Sequence, residues 1–472
     1  MGSESFDAIV VGTGQSGPPL AVRMAKEGMR VAVIERQRFG GTCVNYGCIP
    51  TKTLVASARA AHMARRAGDF GVKIAGEVAV DMRKVHDRMR DVAGTAEKSV
   101  EKYMRETKGI EVILGHASFL GPRKLSVQGA SGQRELEAPK VFINVGARPS
   151  LPDVSGLGGL GGADPVPFLT NRGMLDLTEL PRHLVILGGS YIGLEFGQMF
   201  RRFGSQVTVV EQSPRFLSRE DDDVGQEIRR ILEGEGIAFH VGDAPRLAER
   251  GGNDVSLTLA SGERLVGSHL LVATGRRPNT DDLGLDKAGV RTDQRGFIEI
   301  DDQLRTSAEG VWALGDCNGK GAFTHTSYND YEIAAANLFD HDPSLGPRRV
   351  SDRLPIYALF IDPPLGRVGL NEAQVRARGK PALVGKMPTA RIGRARERSE
   401  TDGFFKVHID AETKQILGAA FLGIEGDETV QLLAPTMMAK APYTLVTHTV
   451  LIHPTVSELV PTLMEDFLKP LQ

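Results

Sequence analysis

Two of the protein's three cysteines, Cys43 and Cys48, lie close together, with four residues between them. Cysteines at this spacing can bind a metal, brace the fold or form a redox-active disulfide. A zinc site usually has four ligands, but the sequence has no second cysteine pair, and the nearest histidine is His62. A chain of 472 residues buries an ample core without a structural disulfide. We therefore interpret the pair as redox-active, and two ordinary buried thiols are the remaining alternative.

The spacing of the two cysteines also constrains the local backbone. Residues five apart in a regular α-helix are separated by about 7.5 Å along the axis, whereas the Cα atoms of a disulfide lie within about 6.8 Å. If the cysteines bond, their segment is therefore not regular helix. Gly47 and Pro50 fit a distorted turn that enters a helix, predicted from Thr51 to about Arg66. Cys48 would then lie near a helix N-terminus, where the dipole and Lys52 favour a thiolate.

The start of the chain has the order strand, glycine turn, helix, strand. The apolar run from Phe6 to Val11 predicts a buried strand. It leads into a turn with G-x-G-x-x-G spacing and a helix opened by Pro18. A second strand, Arg30 to Ile34, ends at an acid. This context predicts a dinucleotide site, in which the glycines admit a pyrophosphate and the acid binds a ribose diol. The residues expected to line it are Gly12, Gly14, Gly17 and Glu35.

The same order recurs in the middle of the chain. A strand from His183 to Leu187 enters a glycine turn, a helix follows to Arg202, and the next strand ends at Glu211. Ser190 replaces the middle glycine of the motif, which weakens the match. The repeat still predicts a second dinucleotide site. Glu211 can accept a hydrogen bond from a 2′-hydroxyl and repel a 2′-phosphate, which favours NADH. NADPH remains possible, because Arg215 and Arg219 lie nearby.

The remaining pattern places these motifs in a larger architecture. Leu270–Pro278 echoes Val141–Pro149, since both are apolar strands that lead into glycine, arginine and proline. Beyond residue 350 strands and helices alternate without a nucleotide motif. We therefore predict an α/β protein with two Rossmann-like dinucleotide-binding domains and a C-terminal α+β domain. The predicted bounds are 1–155 with 276–350, then 156–275, then 351–472. The glycine-rich stretch Ser155–Asp164 and a linker, His341–Pro355, mark two of these boundaries.

Composition argues against several classes of partner. The 57 basic and 59 acidic side chains nearly cancel, which predicts no affinity for nucleic acid or membrane surfaces. The N-terminus lacks the basic and apolar regions of a signal peptide, and no apolar run has the length needed to span a bilayer. We expect a cytoplasmic protein.

Three motifs resemble those of a known family. Gly41–Lys52 matches the active-site signature of the flavoprotein pyridine nucleotide–disulfide oxidoreductases, which include dihydrolipoamide dehydrogenase, glutathione reductase and mercuric ion reductase. Gly315–Asp316 resembles the family's second FAD contact, and His453–Glu458 resembles its C-terminal motif. The resemblance covers essentially the whole chain. It implies an NAD(P)H-dependent enzyme, in which FAD relays electrons to a Cys43–Cys48 disulfide. It also makes the first domain the FAD domain, the second the NAD(P) domain and the third the dimerisation domain of a homodimer.

The resemblance also implies a role for individual residues. Cys48 would be the flavin-side sulfur and Cys43 the exposed interchange thiol. Lys52 would lie beside the flavin and pair with Glu195, a residue that alone reads as part of a solvated helix face. His453 from the partner subunit would be the acid/base for Cys43, oriented by Glu458. The expected FAD contacts are Gly12, Gly14, Gly17, Glu35, Thr42, Lys52, Ala117, Gly146 and Asp316. The expected nicotinamide contacts are Gly188, Tyr191, Ile192, Gly193, Glu211 and Gly275, with Tyr191 covering the flavin. We expect no metal ligands.

The terminal acceptor is left open by the sequence. A small thiol–disulfide acceptor is the leading hypothesis, because His453 is present as in the disulfide-reducing members. Pro363–Gly369 is similar to the mercuric-reductase branch, which makes a metal-ion reductase the first alternative. Mercuric reductases carry a C-terminal cysteine pair, however, and no cysteine follows Cys317 here. The second alternative is a redox-sensing flavoprotein with low turnover.

Overall fold

The computed structural model describes residues 3–158, 166–340, 343–344 and 346–472. Residues 159–164 of the predicted glycine-rich boundary lie outside the described residues, as do 341, 342 and 345 of the predicted linker. The chain divides into two compact units. The first unit is Met1–Thr53, Lys84–Ser150 and Gly275–Arg353, and the second unit is Leu54–Arg83, Leu151–Thr274 and Leu354–Gln472. The predicted bounds of three domains stay a prediction.

A five-stranded parallel sheet forms the centre of the first unit. Its strands are short apolar runs whose central members are buried on both faces, as is usual for parallel sheets. Val11 lies in register with Ile34 and with Ile143, so the residues that follow these strands meet at one edge of the sheet. In spatial order the strands are Val311–Ala313, Lys140–Ile143, Ala8–Val11, Val31–Glu35 and Ile110–Leu114.

The first unit also contains two smaller sheets. One has four strands, in the order Glu4–Ser5, Gly132–Glu137, Lys124–Gly129 and His116–Gly121. The other pairs Ala147–Pro149 with Arg276–Pro278 in antiparallel fashion. That pair joins the two segments whose sequences echo each other.

The second unit contains three sheets. The first is parallel, in the order Ile237–Val241, Gln206–Glu211, His183–Leu187 and His269–Val272. The second is antiparallel, with strands Pro245–Gly251, Asp254–Leu259 and Arg264–Gly267. The third is antiparallel, in the order Ile356–Leu359, Leu365–Gly369, Ile416–Leu422, Phe404–Asp410, Ala382–Pro388 and Leu468–Pro470. The predicted α/β class, with two nucleotide-type parallel sheets and a C-terminal α+β region, is confirmed.

The helices differ from the prediction at a few places. The helix predicted from Thr51 begins at Cys48 and ends at Arg65, because proline is tolerated in a first helical turn. Residues 71–81 form neither helix nor strand. A 3₁₀ turn at Val430–Leu432 separates the helix Gly426–Thr429 from the helix Leu433–Met438. The α-helices are Gly17–Lys26, Gly41–Asn45, Cys48–Arg65, Met82–Glu106, Asn171–Met174, Tyr191–Phe203, Asp222–Gly234, Leu285–Ala288, Thr324–Phe339, Glu372–Ala377, Gly393–Glu397, Gly426–Thr429, Leu433–Met438, Thr444–Thr447 and Val460–Asp466. None of the helices in the described ranges is long and apolar enough to span a bilayer.

Candidate functional site

The first glycine turn is packed too tightly to accept side chains. Gly12 has a φ of +102°, and a Cβ added there would lie 2.3 Å from the carbonyl oxygen of Asn144. A Cβ on Gly17 would lie 2.4 Å from the carbonyl oxygen of Gly12, and one on Gly14 would lie 2.9 Å from Asn144 Oδ1. The turn leads directly into the helix that begins at Gly17, with no acidic residue in its first turn. This cradle fits the pyrophosphate of a dinucleotide.

Glu35 lies at the end of the neighbouring strand, with its carboxylate fixed by the same turn. Its Oε2 accepts hydrogen bonds from the Thr13 backbone N–H at 3.1 Å and the Thr13 hydroxyl at 2.6 Å, and its Oε1 accepts one from Gln37 N–H at 2.7 Å. The side chain is buried. A fixed, buried carboxylate beside a glycine turn is the arrangement that binds a ribose diol.

The second glycine turn reproduces this geometry in the second unit. A Cβ on Gly188 would lie 2.5 Å from the carbonyl oxygen of Ala273, and one on Gly193 would lie 2.0 Å from the carbonyl oxygen of Gly188. Glu211 Oε2 accepts from Gly189 N–H at 2.9 Å, and Oε1 accepts from Ser213 N–H at 2.8 Å.

Ser190 fits this second turn for a backbone reason. Its φ of −111° and ψ of −175° are extended values that any residue adopts, and its side chain is exposed. The backbone at this position therefore does not require a glycine, and the second nucleotide site stays a prediction.

The two active-site cysteines lie on either side of a break between two helices. Cys43 belongs to the helix Gly41–Asn45 and Cys48 begins the helix Cys48–Arg65, with a turn at Tyr46 and Gly47 between them. A Cβ on Gly47 would lie 3.0 Å from the Thr42 carbonyl oxygen. The break is the distorted turn that the spacing predicts, and it brings the two side chains into contact.

The surroundings of the two thiols differ. A hydrogen bond with Cys48 and burial raise the pKa of Cys43, while Thr324 and Lys52 act in the opposite direction. Cys48 Sγ lies 3.1 Å from the hydroxyl oxygen of Thr324. On the single chain Cys43 is half-buried and Cys48 is exposed, so exposure alone does not favour Cys43 as the interchange thiol. The third cysteine, Cys317, is fully buried, and burial raises its pKa to about 12.

Arg276 joins two of the residues expected at the flavin. Its Nη2 donates to the Ala147 carbonyl at 2.5 Å and lies 3.4 Å from Thr42 Oγ1 and 3.6 Å from Asp316 Oδ2. Its buried Nε has no hydrogen-bond partner among the described residues. Burial raises the pKa of Asp316, and the Arg276 charge opposes that effect. An unsatisfied buried donor beside Thr42 and Asp316 fits a cofactor that brings acceptors of its own.

The other expected cofactor contacts remain predictions. Ala117 is buried in the strand His116–Gly121, and Lys52 and Ile192 are half-buried. Gly146 and Gly275 have φ values of +66° and +121°, which favour glycine.

Tyr191 is held by a buried acid in the second unit. Glu220 Oε1 accepts from the Tyr191 hydroxyl at 2.6 Å and from the Tyr357 hydroxyl at 2.8 Å. Burial and the Glu220 charge raise the pKa of Tyr191. Glu195 is buried in the helix that Tyr191 begins, where its Oε1 accepts from Phe360 N–H at 3.0 Å. Lys52 belongs to the first unit and Glu195 to the second, and their pairing stays a prediction.

Asp221, the residue after Glu220, belongs to a buried group of charged side chains around Lys406. Lys406 Nζ lies 2.9 Å from Asp221, 2.7 Å from Asp223 and 3.1 Å from Glu372. Within the described ranges, one group of His, Cys, Asp or Glu side chains has donor atoms close enough together to hold a metal. Its members are Asp221, Glu372 and His408. The ammonium of Lys406 already pairs with the carboxylates of Asp221 and Glu372, so this cluster contains a cation of its own.

His453 and Glu458 form a hydrogen-bonded pair near the C-terminus. His453 Nδ1 lies 2.7 Å from Glu458 Oε2. The imidazole is 82% exposed and the carboxylate 13% exposed. Val450 and Ile452, just before the histidine, are 96% and 78% exposed. An exposed imidazole, oriented by a carboxylate and flanked by exposed apolar residues, suits a group that works in a second copy of the chain.

Several residues of this geometry were missed from the sequence. Thr324, Arg276, Glu220 and Tyr357 touch predicted site residues, but none stands in a glycine or cysteine motif. Thr324 lies 276 residues from Cys48, so no local spacing connects them. Only Arg276 had a signal, because it lies in the segment that echoes Val141–Pro149.

Family models cover almost all of the chain. Residues 6–333 match the model described as pyridine nucleotide-disulphide oxidoreductase. Residues 356–464 match the dimerisation domain of the same family.

Individual relatives match over nearly their whole length. A probable pyridine nucleotide-disulfide oxidoreductase, RclA of Escherichia coli K12, is 36% identical, over 96% of this chain and 97% of the relative. A dihydrolipoyl dehydrogenase of Halobacterium salinarum is 35% identical, over 97% of this chain and 95% of the relative. The structure described as the Cu(II) complex of the HOCl-induced flavoprotein disulfide reductase RclA from Escherichia coli superposes with a TM-score of 0.89 at 34% identity, covering 98% of this chain and 99% of that one.

Proposed function

Because the chain belongs to the FAD-dependent pyridine nucleotide–disulfide oxidoreductases, we propose that it uses NADH to reduce a small disulfide through the Cys43–Cys48 couple. Members of the family use FAD and NAD(P)H, and the chain carries the family's dimerisation domain. The observation that carries the proposal is the contact between the two thiols across the helix break. When bound, the nicotinamide supplies a hydride and FAD passes two electrons to a disulfide.

The two glycine turns divide the cofactors between them in this proposal. Gly12, Gly14, Gly17 and Glu35 hold the pyrophosphate and ribose of FAD, and Gly188, Gly193 and Glu211 hold those of the nicotinamide nucleotide. Two contacts of Arg215 support NADH over NADPH. Its guanidinium lies 2.5 Å from Asp222 and donates to the Glu220 carbonyl at 2.8 Å, so it is engaged away from a 2′-phosphate.

The disulfide exchange itself needs a base, a nucleophile and a resolving thiol. The raised pKa of Cys43 keeps it protonated at neutral pH, so the partner subunit's His453 removes its proton. The Cys43 thiolate attacks one acceptor sulfur and releases the other as a thiolate, which takes the proton back from the imidazole. The Cys48 thiolate then attacks Cys43, the internal disulfide closes and the second acceptor sulfur leaves as a thiolate. Glu458 holds the imidazole by its other ring nitrogen.

A metal ion is the second candidate acceptor. The Escherichia coli RclA has been solved as a Cu(II) complex, and a dithiol is a soft ligand pair. In this version of the proposal, the reduced Cys43–Cys48 pair binds Cu(II). Its two electrons reduce two Cu(II) ions to Cu(I), one after the other, as the internal disulfide closes and the remaining thiol proton is released to solvent. No leaving thiolate has to be protonated, so the role of His453 would be small.

The test compares the two acceptors on FAD-loaded enzyme. Cys43→Ser should abolish turnover of a disulfide acceptor but leave reduction of the bound flavin by NADH intact. His453→Gln should slow disulfide turnover by at least about 100-fold and slow Cu(II) reduction far less. NADH and NADPH are compared in the same assay, with the same flavin content for each variant. Undiminished disulfide turnover by Cys43→Ser would contradict the proposal.

A further inference from the structure

Thr324 contacts the sulfur atom of Cys48 directly. Its Oγ1 lies 3.1 Å from Cys48 Sγ, within hydrogen-bond distance for sulfur. The same hydroxyl also interacts with Cys43, where it lowers the pKa of that thiol against the larger effects of the neighbouring sulfur and of burial. One side chain from a distant part of the sequence therefore contacts the sulfur of Cys48 and lowers the pKa of Cys43.

The hydroxyl is placed by a well-anchored helix. Thr324 is the first residue of the 16-residue helix Thr324–Phe339. Ser327 is tied to the first glycine turn, because Ser16 Oγ donates to its carbonyl at 2.6 Å. Asp330 accepts from Gly315 N–H at 2.7 Å and from the Asn318 amide at 2.9 Å. The position of the hydroxyl is thus set by hydrogen bonds that anchor the first two turns of the helix.

The helix does not need the Thr324 side chain to begin. The Thr326 hydroxyl accepts from Phe323 N–H at 3.2 Å and donates to the Phe323 carbonyl at 2.7 Å, which closes the first turn. The N-terminal end of a helix also favours a thiolate nearby. The Thr324 hydroxyl is therefore not needed to start the helix, and it lies within hydrogen-bond distance of Cys48 Sγ.

We propose that Thr324 is a catalytic residue, which donates a hydrogen bond to the Cys48 thiolate and so determines which sulfur holds the charge in the reduced enzyme. This inference rests on the proposed Cys43–Cys48 chemistry. Two electrons from the nicotinamide, delivered through FAD, break the S–S bond, and one proton is taken up. Cys48 stays a thiolate against Thr324, and Cys43 becomes the thiol that waits for the partner subunit's His453.

The test measures thiolate formation at Cys48 rather than turnover. In the FAD-loaded Cys43→Ser background, Cys48 is alkylated with iodoacetamide over a series of pH values, and the modified residue is identified by peptide mass spectrometry. Cys317 is fully buried and serves as an internal unreactive thiol. Thr324→Val should move the alkylation profile about one unit to higher pH, roughly tenfold less thiolate at a given acidic pH. Thr324→Ser, which keeps the hydroxyl, should restore the original profile.

A matched substitution separates this effect from a general loss of a threonine hydroxyl. Thr107→Val removes a hydroxyl that donates to the Tyr103 carbonyl at 2.7 Å on an exposed helix end, and it should leave the profile unchanged. If Thr324→Val lowers the melting temperature, Thr324→Ala provides the same comparison. An unshifted profile in both variants would overturn the proposal. Failure of the function proposed above would appear elsewhere, as disulfide turnover that survives Cys43→Ser.

Discussion

His408 shows how a single residue can couple this fold to pH. It is fully buried, and neither ring nitrogen has a hydrogen-bond partner among the described residues. Asp221, Lys406, Arg367 and Glu372 are the charged groups around it, and burial lowers its pKa to about 4. The imidazole is therefore neutral in the folded protein at pH values where an unfolded histidine is already charged.

The sign of the resulting stability effect follows from proton binding. Between the unfolded histidine pKa of about 6.5 and the folded value of about 4, the unfolded chain binds more protons, so stability falls as pH falls. Between about pH 7 and about pH 5, this histidine alone lowers the free energy of unfolding by about 2 kcal/mol. His408→Leu should therefore lose less stability over that interval than the wild type, while changing little at neutral pH because no hydrogen bond is lost. Urea unfolding midpoints at the two pH values test this, and equal losses in both proteins would contradict it.

At this scale the sequence predicts residues whose partners lie nearby in the chain. Glu35 and Glu211 were found because each ends a strand about twenty residues after a glycine turn, and both accept hydrogen bonds from that turn. His453 and Glu458 were predicted from the resemblance of their segment to the family's C-terminal motif, and the two side chains form a hydrogen bond. Thr324, Glu220 and Tyr357 could not be found, because their contacts depend on how distant segments pack, and a hydroxyl or an acid alone carries no signal.

An element made of a strand, a glycine turn and a helix occurs in both units of the molecule. In both units the last glycine of the turn lies against the carbonyl oxygen of the first, at 2.4 Å for a Cβ on Gly17 and 2.0 Å for one on Gly193. A side chain there forces the helix away from the strand, and the helix N-terminus would then no longer face the pyrophosphate. The tight turn is thus a requirement of cofactor binding.

Gly17→Ala tests this requirement against a matched glycine. The added methyl group meets backbone rather than a flexible side chain, so strain of about 1–3 kcal/mol is expected, or roughly 5- to 150-fold weaker FAD binding. Gly94→Ala is the control, because Gly94 lies inside the helix Met82–Glu106 and an added Cβ meets no atom within 4 Å. That control should bind FAD normally and gain about 1 kcal/mol of stability from helix propensity. Flavin absorbance per chain after dialysis is the measurement, and full flavin content in Gly17→Ala would refute the expectation.

Element boundaries were predicted less well than element types, and the reasons are local. The helix at Cys48 begins three residues early because Pro50 falls in its first turn, where no hydrogen-bonded N–H is required. The backbone at Ser190, which replaces a motif glycine, is extended and accepts a side chain, a feature that the glycine pattern does not predict. The 3₁₀ turn at Val430–Leu432 has no signal in the apolar pattern, which continues through it.

At the scale of the whole molecule, the active site requires two chains in the proposed mechanism. The C-terminal region matches the family's dimerisation domain, and His453 is exposed on the single chain beside the exposed Val450 and Ile452. Exposed apolar side chains next to an exposed, oriented imidazole suit a surface that is covered in a symmetric dimer.

An active site that takes Cys43 from one chain and His453 from the other predicts complementation between two inactive variants. Cys43→Ser lacks the interchange thiol and His453→Gln lacks the base, so each homodimer should be nearly inactive on a disulfide. In a heterodimer, one site combines an intact Cys43 with an intact His453 from the other chain, and the second site carries both defects. If subunits reassort at random after equal mixing and brief unfolding, roughly a quarter of wild-type activity should return, because half the dimers each gain one good site. Differently tagged chains allow the heterodimer to be isolated and its turnover measured directly. If His453 instead served its own chain, every site in the mixture would keep one defect, and no activity would return.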